Sequence, residues 1–211
     1  MNLPTKITFS RIIIIILMII ALAVLQFFPQ ISYPLGNSGI DLTMLLICVL
    51  FLIGSATDWL DGHLARKNNQ VTDLGKFLDP VADKLLINSL VIFLIAPAVF
   101  APYAVGYVGF NMWCALLLVA RDIVVDALRF IAAQKKIVIA ANIFGKLKTV
   151  LEMVAITVVL LNGFPFGYIS PLGAEIFIQV CVGLATAASL ISGIIYVIQN
   201  RKVFLPSKDE K

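Results

Sequence analysis

The stretch SRIIIIILMIIALAVLQFF, residues 10–28, decides the fold class, because Arg11 is its only charged residue. A helix needs about 20 predominantly apolar residues to cross the hydrocarbon core of a bilayer. The rest of the chain has the same character, since 61% of its 211 residues are hydrophobic and 13% are charged. That is more apolar surface than one soluble core can bury. Because lipid offers the backbone no hydrogen bonds, the sequence predicts an all-α membrane protein.

Apolar spans of membrane-crossing length predict a polytopic bundle of about six transmembrane helices. They cover residues 10–28, 40–57, 77–99, 106–133, 147–162 and 174–199. A short helix over residues 2–8, with Pro4 in its first turn, is expected to lie in the membrane interface before the first span. No repeat or low-complexity stretch divides the chain, so we expect a single domain over residues 1–211.

The basic residues that lie between the spans are confined to alternate connections. The connections at residues 29–39, 96–107 and 163–173 contain no Lys or Arg, whereas both termini and the connections around residues 66–76 and 135–146 are basic. Short cytoplasmic loops of membrane proteins are enriched in Lys and Arg. The sequence therefore predicts that both termini, and the segment between the second and third spans, lie in the cytoplasm.

Aspartates at the facing ends of the second and third spans form the most informative pattern. Asp58 and Asp61 are separated by three positions, and Asp79 and Asp83 by four, so the members of each pair lie on one helix face. Carboxylates that face one another in a partly dehydrated site repel unless cations neutralise them. Oxygen ligands without His or Cys favour one or two ions such as Mg²⁺ or Mn²⁺. Such a pair of ions can stabilise the attacking and leaving oxygens of a displacement at phosphorus.

Small residues continue the aspartate face of the second span. Gly62 and Ala65 leave room beside the carboxylates, and Arg66 offers a planar fork that suits phosphate. Gly75 precedes Asp79 by about one helical turn on the third span. Acidic residues within spans also serve ion transport, so a cation-coupled transporter is an alternative function. That alternative explains the acidic residues but not the small residues or Arg66.

These residues follow one fixed order, Asp58-x2-Asp61-Gly62-x2-Ala65-Arg66-x8-Gly75-x3-Asp79-x3-Asp83. The order resembles the signature of the CDP-alcohol phosphatidyltransferases, a family of membrane enzymes, and every fixed position of that signature is filled. The resemblance implies a displacement at the pyrophosphate of a CDP-linked donor, with release of CMP. It also implies a two-metal site with Mg²⁺ or Mn²⁺, and a homodimer in the cytoplasmic membrane of a bacterium.

The resemblance further implies a role for each signature residue. The aspartates would bind the metal ions, and Asp83 would also take the proton from the attacking hydroxyl of the acceptor. The residues that would bind the CDP part of CDP-diacylglycerol are Gly62, Ala65, Arg66 and Gly75.

The acceptor is predicted from the sequence on either side of the signature. Residues 2–11, 121–129 and 145–149 resemble those of family members that use glycerol 3-phosphate. Basic side chains could form cationic walls for the phosphate of that acceptor. The predicted acceptor-phosphate residues are Arg11, Arg121, Lys135, Lys146 and Lys148. Inositol phosphate, serine and phosphatidylglycerol are alternative acceptors, and basic residues on cytoplasmic loops can also serve topology alone.

Asp122 and Glu152 are two of the acidic residues outside the signature. Asp122 follows Arg121 and could be only its counter-ion, so we leave Asp122 outside the predicted site. Glu152 lies in the fifth span, where a carboxylate needs a polar neighbour that the sequence does not name. The predicted partners are CDP-diacylglycerol, glycerol 3-phosphate, membrane lipid and a second copy of the chain, with no nucleic acid.

The distribution of basic residues gives a test of topology. Cysteines introduced at Asn37 and Gly167 should react with a membrane-impermeant thiol reagent added to intact cells, because their connections are predicted to be outside. A cysteine at Asn69 should react only after the membrane is permeabilised. The unmodified chain, whose own cysteines lie within apolar spans, gives the background. The opposite labelling pattern would contradict the predicted orientation and place the aspartates outside the cell.

Overall fold

The computed structural model describes residues 3–28, 33, 35, 40–67, 73–96, 108–135 and 143–201, with side chains described outside residues 3–7, 58–67 and 73–77. Within these residues the chain forms seven helices and no strand. The helices are α1 (Leu3–Phe27), α2 (Leu42–Lys67), α3 (Asp73–Phe93), α4 (Met112–Gln134), α5 (Ile143–Leu160), α6 (Phe166–Ile169) and α7 (Pro171–Gln199). The prediction of an all-α fold is confirmed. Each helix except the single turn of α6 overlaps one of the predicted spans.

Helices α1, α3, α5 and α7 begin earlier than the predicted spans, and for α1 and α3 this changes the interpretation. Helix α1 runs without interruption from Leu3, so the short helix predicted before the first span is the N-terminal part of α1 and not a separate element. Pro4 fits there because the first turn of a helix makes no use of its missing N–H. Helix α3 begins at Asp73, which places Pro80 inside the helix. Asp79 therefore lies about two turns into α3 and not at its start.

Within the part of the chain that the structure describes, two helices are long and apolar enough to cross a membrane. The segment Thr8–Phe27 of α1 has a mean hydropathy of 2.7, and Pro171–Gln199 of α7 has a mean hydropathy of 2.1. Helices α3, α4 and α5 carry more ionisable side chains. Half of those side chains belong to the polar clusters described below.

Large apolar side chains cover the outer faces of the long helices. Leu17 in α1, Phe130 in α4 and Ile198 in α7 are each more than half exposed, and many similar residues share this exposure. Monomeric soluble proteins rarely expose contiguous apolar patches larger than a few hundred Å². Lipid is the solvent in which such faces are stable, and the chain is therefore a membrane protein.

The described chain forms two compact units. The first contains Met1–Gly109 and Ile156–Ile178, and the second contains Phe110–Ala155 and Gln179–Lys211. Helices α5 and α7 therefore each contribute residues to both units. In the first unit, α1 packs against α2 and α3, with Ile15 in the buried face of α1. This packing brings the N-terminal part of α1 to the part of α3 that carries Asp79.

A tight turn follows α5. Asn162 and Gly163 both have positive φ angles, of 48° and 70°. A Cβ atom at Gly163 would lie 2.9 Å from the Cα atom of Ala174 in α7. Glycine is therefore required at residue 163 both by the left-handed backbone conformation and by the close approach of α7.

Candidate metal and substrate site

The signature aspartates lie on two helices. Asp58 and Asp61 belong to the C-terminal part of α2, and Asp79 and Asp83 to the N-terminal half of α3. The side chains of Asp58 and Asp61 lie outside the described set. Those of Asp79 and Asp83 are partly exposed and lie one turn apart on the same face of α3. This placement agrees with the spacing argument for the second pair.

Asp79 is held from one side by α1. The hydroxyl of Thr8 donates a hydrogen bond of 2.9 Å to Oδ1 of Asp79. Nη2 of Arg11 lies 3.8 Å from the same oxygen, and the Arg11 side chain is 0% exposed whereas that of Asp79 is 43% exposed. Among the described residues, no hydrogen bond reaches Oδ2 of Asp79. One carboxylate oxygen therefore contacts α1, and the other remains available to a ligand.

The donor atoms of this region fit a divalent metal ion that prefers oxygen. No group of three or more metal-ligating side chains is found among the side chains that the structure describes, a set from which Asp58 and Asp61 are missing. Asp79 and Asp83 nevertheless supply two carboxylates on one helix face, and Asp79 is half-buried with one oxygen left open. Such carboxylates suit Mg²⁺ or Mn²⁺.

A second polar cluster lies in the second unit and joins α4 to α5. Nζ of Lys148 donates to both carboxylate oxygens of Asp122, at 2.9 Å and 3.0 Å. The same ammonium contacts Oε2 of Glu152, one turn further along α5. Asp122 is 1% exposed and Glu152 is 0% exposed. Lys148 is therefore the polar neighbour that Glu152 requires. Asp122 contacts Lys148 as well as Arg121.

Arg121 belongs to the same cluster and is held by α7. Its Nη1 lies 3.0 Å from Oδ1 of Asp122, and its Nη2 donates to the hydroxyl of Ser192 at 2.9 Å. Its Nε donates to the backbone carbonyl of Ser189 at 3.2 Å. A Cβ atom at residue 193 would lie 2.9 Å from Cγ of Arg121, so Gly193 makes room for the arginine stem. These contacts fix the orientation of the guanidinium.

The predicted acceptor-phosphate residues are thus found in three different environments. Arg11 is buried beside Asp79, whereas Arg121 and Lys148 share a cluster with Asp122 and Glu152. That cluster contains two positive and two negative groups, so its formal charge is balanced. Lys135 and Lys146 are exposed. Within the second unit, the structure therefore brings Arg121 and Lys148 together through Asp122.

Some polar residues of these clusters were not predicted from the sequence. Thr8 lies three residues before Arg11 and therefore on the same face of α1, which is a signal that the sequence contains. Likewise, Glu152 follows Lys148 by four residues, the spacing of a helical ion pair. Ser192 has no such local signal, because its contact with Arg121 joins residues that are 71 positions apart.

Comparisons with known proteins agree with the signature. Residues 1–198 match the family model for CDP-alcohol phosphatidyltransferase. The chain is 39% identical over 186 residues to a Bacillus subtilis protein named CDP-diacylglycerol–glycerol-3-phosphate 3-phosphatidyltransferase, covering 86% of this chain and 88% of that protein. Proteins of the same name from Mycoplasma pneumoniae and Rickettsia felis are also similar. The first is 37% identical, covering 95% of this chain and 88% of that protein. The second is 31% identical, covering 96% and 97%.

Because Lys148 is buried and Lys146 is exposed, we expect substitution by Met to change the free energy of unfolding much more at Lys148 than at Lys146. Lys148→Met should lower the free energy of unfolding by about 3–5 kcal/mol, because it leaves Asp122 and Glu152 with an uncompensated buried charge. Lys146→Met, on the same helix but exposed, should change it by less than about 0.5 kcal/mol. The measurement is unfolding of the purified protein in mixed detergent micelles.

A second variant tests the charge argument itself. Adding Glu152→Gln to Lys148→Met removes one charge of each sign and should recover much of the lost stability. Equal stabilities of the Lys146 and Lys148 variants would contradict the described burial of the cluster.

Proposed function

Because the chain belongs to the CDP-alcohol phosphatidyltransferase family, we propose that it transfers the phosphatidyl group of CDP-diacylglycerol to glycerol 3-phosphate. The products would be phosphatidylglycerophosphate and CMP, which makes the enzyme a transferase of anionic phospholipid biosynthesis. The observation that carries this proposal is the similarity to bacterial relatives named for this reaction, one of them 39% identical over 86% of the chain. The family match over residues 1–198 leaves no support for the alternative of a cation-coupled transporter.

The reaction is a displacement at the phosphorus of the phosphatidyl group. The attacking hydroxyl of glycerol 3-phosphate forms a new P–O bond, and the bond from that phosphorus to the bridging oxygen of the pyrophosphate breaks. CMP leaves with the bridging oxygen. Asp83 would accept the proton of the attacking hydroxyl. Support for this role comes from the position of Asp83, which is partly exposed on the same face of α3 as Asp79.

The metal requirement follows from the family and from the carboxylates. Members of this family generally depend on a divalent metal. We propose that the residues holding one or two Mg²⁺ or Mn²⁺ ions are Asp58, Asp61, Asp79 and Asp83. Bound ions would neutralise the pyrophosphate and stabilise the charge that develops on the leaving oxygen. The open Oδ2 atom of Asp79 supports this assignment.

The donor would bind at the small residues of the signature. Gly62 and Ala65 in α2, with Gly75 in α3, would leave space for the CDP part of the donor. Arg66, one residue before the end of α2, would contact a phosphate group of the donor through its planar guanidinium. The acyl chains of CDP-diacylglycerol would remain in lipid beside the exposed apolar faces of the helices.

The acceptor phosphate would bind to the basic residues of the predicted set. Arg11 has the strongest support, because its guanidinium lies 3.8 Å from a carboxylate oxygen of the proposed metal ligand Asp79. The full proposed set also includes Arg121, Lys135, Lys146 and Lys148. For Arg121 and Lys148, the acceptor phosphate would have to compete with Asp122 and Glu152, which already contact them.

The proposed enzyme is a homodimer of a single domain over residues 1–211 in the cytoplasmic membrane of a bacterium. Both termini and the active site would lie on the cytoplasmic side. The alternation of basic and uncharged connections supports this orientation. The water-soluble substrate and product, glycerol 3-phosphate and CMP, would then be exchanged with the cytoplasm.

The proposed reaction is tested directly with the purified protein in detergent. With CDP-diacylglycerol and Mg²⁺, glycerol 3-phosphate should give CMP and a new lipid, while inositol phosphate, serine and phosphatidylglycerol should give little of either. Excess EDTA should abolish turnover, and added Mg²⁺ or Mn²⁺ should restore it, because the site holds its ions through carboxylates alone. Release of CMP with another acceptor would overturn the acceptor assignment. Full activity in EDTA would overturn the metal assignment.

Substitution of the basic residues tests which of them bind the acceptor and which bind the donor. Arg11→Ala and Arg121→Ala should each lower kcat/KM for glycerol 3-phosphate by roughly tenfold or more, since a charge-assisted hydrogen bond contributes about 1.5–3 kcal/mol. The KM for CDP-diacylglycerol should change little. Arg66→Ala should instead raise the KM for CDP-diacylglycerol.

Glycerol, which lacks the phosphate, is the control acceptor for these variants. Turnover of glycerol by the unmodified enzyme should be low. It should fall little further in the Arg11 and Arg121 variants, because glycerol has no phosphate for these arginines to contact. Arg129→Ala is the matched control, since Arg129 hydrogen-bonds to Tyr196 and lies outside the proposed set. Equal losses with glycerol and glycerol 3-phosphate would show that Arg11 and Arg121 do not bind the acceptor phosphate.

A further inference from the structure

Thr8 joins α1 to a signature aspartate through a side-chain hydrogen bond. Its hydroxyl donates to Oδ1 of Asp79 at 2.9 Å, across 71 positions of sequence. Thr8 is almost completely buried, whereas the carboxylate of Asp79 is partly exposed. The hydrogen bond therefore lies on the protein side of the carboxylate, away from its exposed part.

Two other threonines donate their hydroxyl hydrogen bonds within their own helix, which is a local role. Thr186 in α7 donates to the carbonyl of Val182 at 2.8 Å, and Thr149 in α5 donates to the carbonyl of Gly145 at 3.1 Å. Both acceptors belong to the same helix, four residues earlier. The Thr8 hydroxyl reaches the carboxylate of a different helix, so its contact constrains the orientation of an acidic side chain.

Arg11 contacts the same oxygen but constrains its direction less. The distance of 3.8 Å from Nη2 to Oδ1 makes an ion pair and exceeds the length of a hydrogen bond. An ion pair at this distance stabilises the charge of Asp79 with little dependence on angle. The directional contact that restrains the orientation of the carboxylate is therefore the hydrogen bond from Thr8.

We propose that Thr8 is a positioning residue for the metal ligand Asp79. By holding Oδ1 toward α1, it keeps Oδ2 directed to a divalent metal ion. Carboxylates that bind metals are commonly held by hydrogen bonds from residues behind them, and loss of such a partner typically lowers metal affinity or activity about 10–100-fold. This inference rests on the metal assignment of the proposed function and does not depend on which acceptor is used.

The test compares Mn²⁺ binding by purified, full-length variants in the absence of substrates. Free Mn²⁺ is measured by electron paramagnetic resonance during a titration of the protein. Thr8→Val keeps the side-chain volume but removes the hydroxyl, and it should weaken Mn²⁺ binding by about tenfold or more. Thr8→Ser retains the hydroxyl and should recover most of the affinity. Thr186→Val removes a buried hydroxyl of local role and should leave Mn²⁺ affinity unchanged.

Thermal unfolding of the same samples separates positioning from folding. Unchanged Mn²⁺ affinity in Thr8→Val, with or without a lower melting temperature, would overturn the inference. So would an equal loss of affinity in Thr186→Val, or no recovery in Thr8→Ser. If Thr8→Val does not yield folded protein, Thr8→Ala and Thr8→Ser give the same comparison with and without the hydroxyl.

The experiment also distinguishes failure of this inference from failure of the proposed function. Absence of saturable Mn²⁺ binding by the unmodified protein would overturn both the metal assignment and the role of Thr8. Weaker Mn²⁺ binding in Thr8→Val, together with CMP release from a different acceptor, would support the role of Thr8 and overturn the choice of glycerol 3-phosphate.

Discussion

An ionised side chain that is buried among apolar helices costs several kcal/mol unless an opposite charge lies in contact with it. This constraint explains the two polar clusters described above. In the second unit, the charges of Arg121, Asp122, Lys148 and Glu152 balance, and the carboxylates are almost completely buried. In the first unit, Arg11 is fully buried but its partner Asp79 is partly exposed, with Asp83 one turn away. In the first cluster, Oδ2 of Asp79 thus remains available to a cation, whereas the carboxylates of the second cluster contact Lys148 and Arg121.

The fold class and the approximate helix positions could be predicted from the sequence, because a helix that crosses a membrane needs a long run of apolar residues. The signature was equally accessible, since helical spacing determines which residues share a face. The helix starts were less accurate: α1, α3, α5 and α7 all begin before their predicted spans, α1 at Leu3 and α3 at Asp73. Pro4 and Pro80 are compatible with helix at those places, and apolar length gives no information on how far a helix extends beyond the membrane.

Contacts between helices could not be derived in the same way. Spacing predicts that Asp79 shares a face with Asp83, but it does not predict that this region of α3 meets Thr8 of α1. Arg121 lies in an apolar run, where a guanidinium needs an anionic partner. The sequence does not tell whether that partner is a phosphate or a carboxylate, and the structure supplies the carboxylate of Asp122. The Lys148–Glu152 pair, in contrast, has a local spacing that sequence analysis could have used.

The pairing of charges within single helices also affects how the chain enters the membrane during synthesis. Arg121 and Asp122 are adjacent on α4, and Lys148 and Glu152 are one turn apart on α5. Each helix therefore carries its own counter-ion before any other helix is present. An isolated charge near the middle of a membrane helix raises the free energy of insertion by about 2.5–3.5 kcal/mol on translocon-based scales. A salt bridge within the inserting helix offsets part of that penalty, so α4 and α5 can partition into the bilayer one at a time, ahead of bundle assembly.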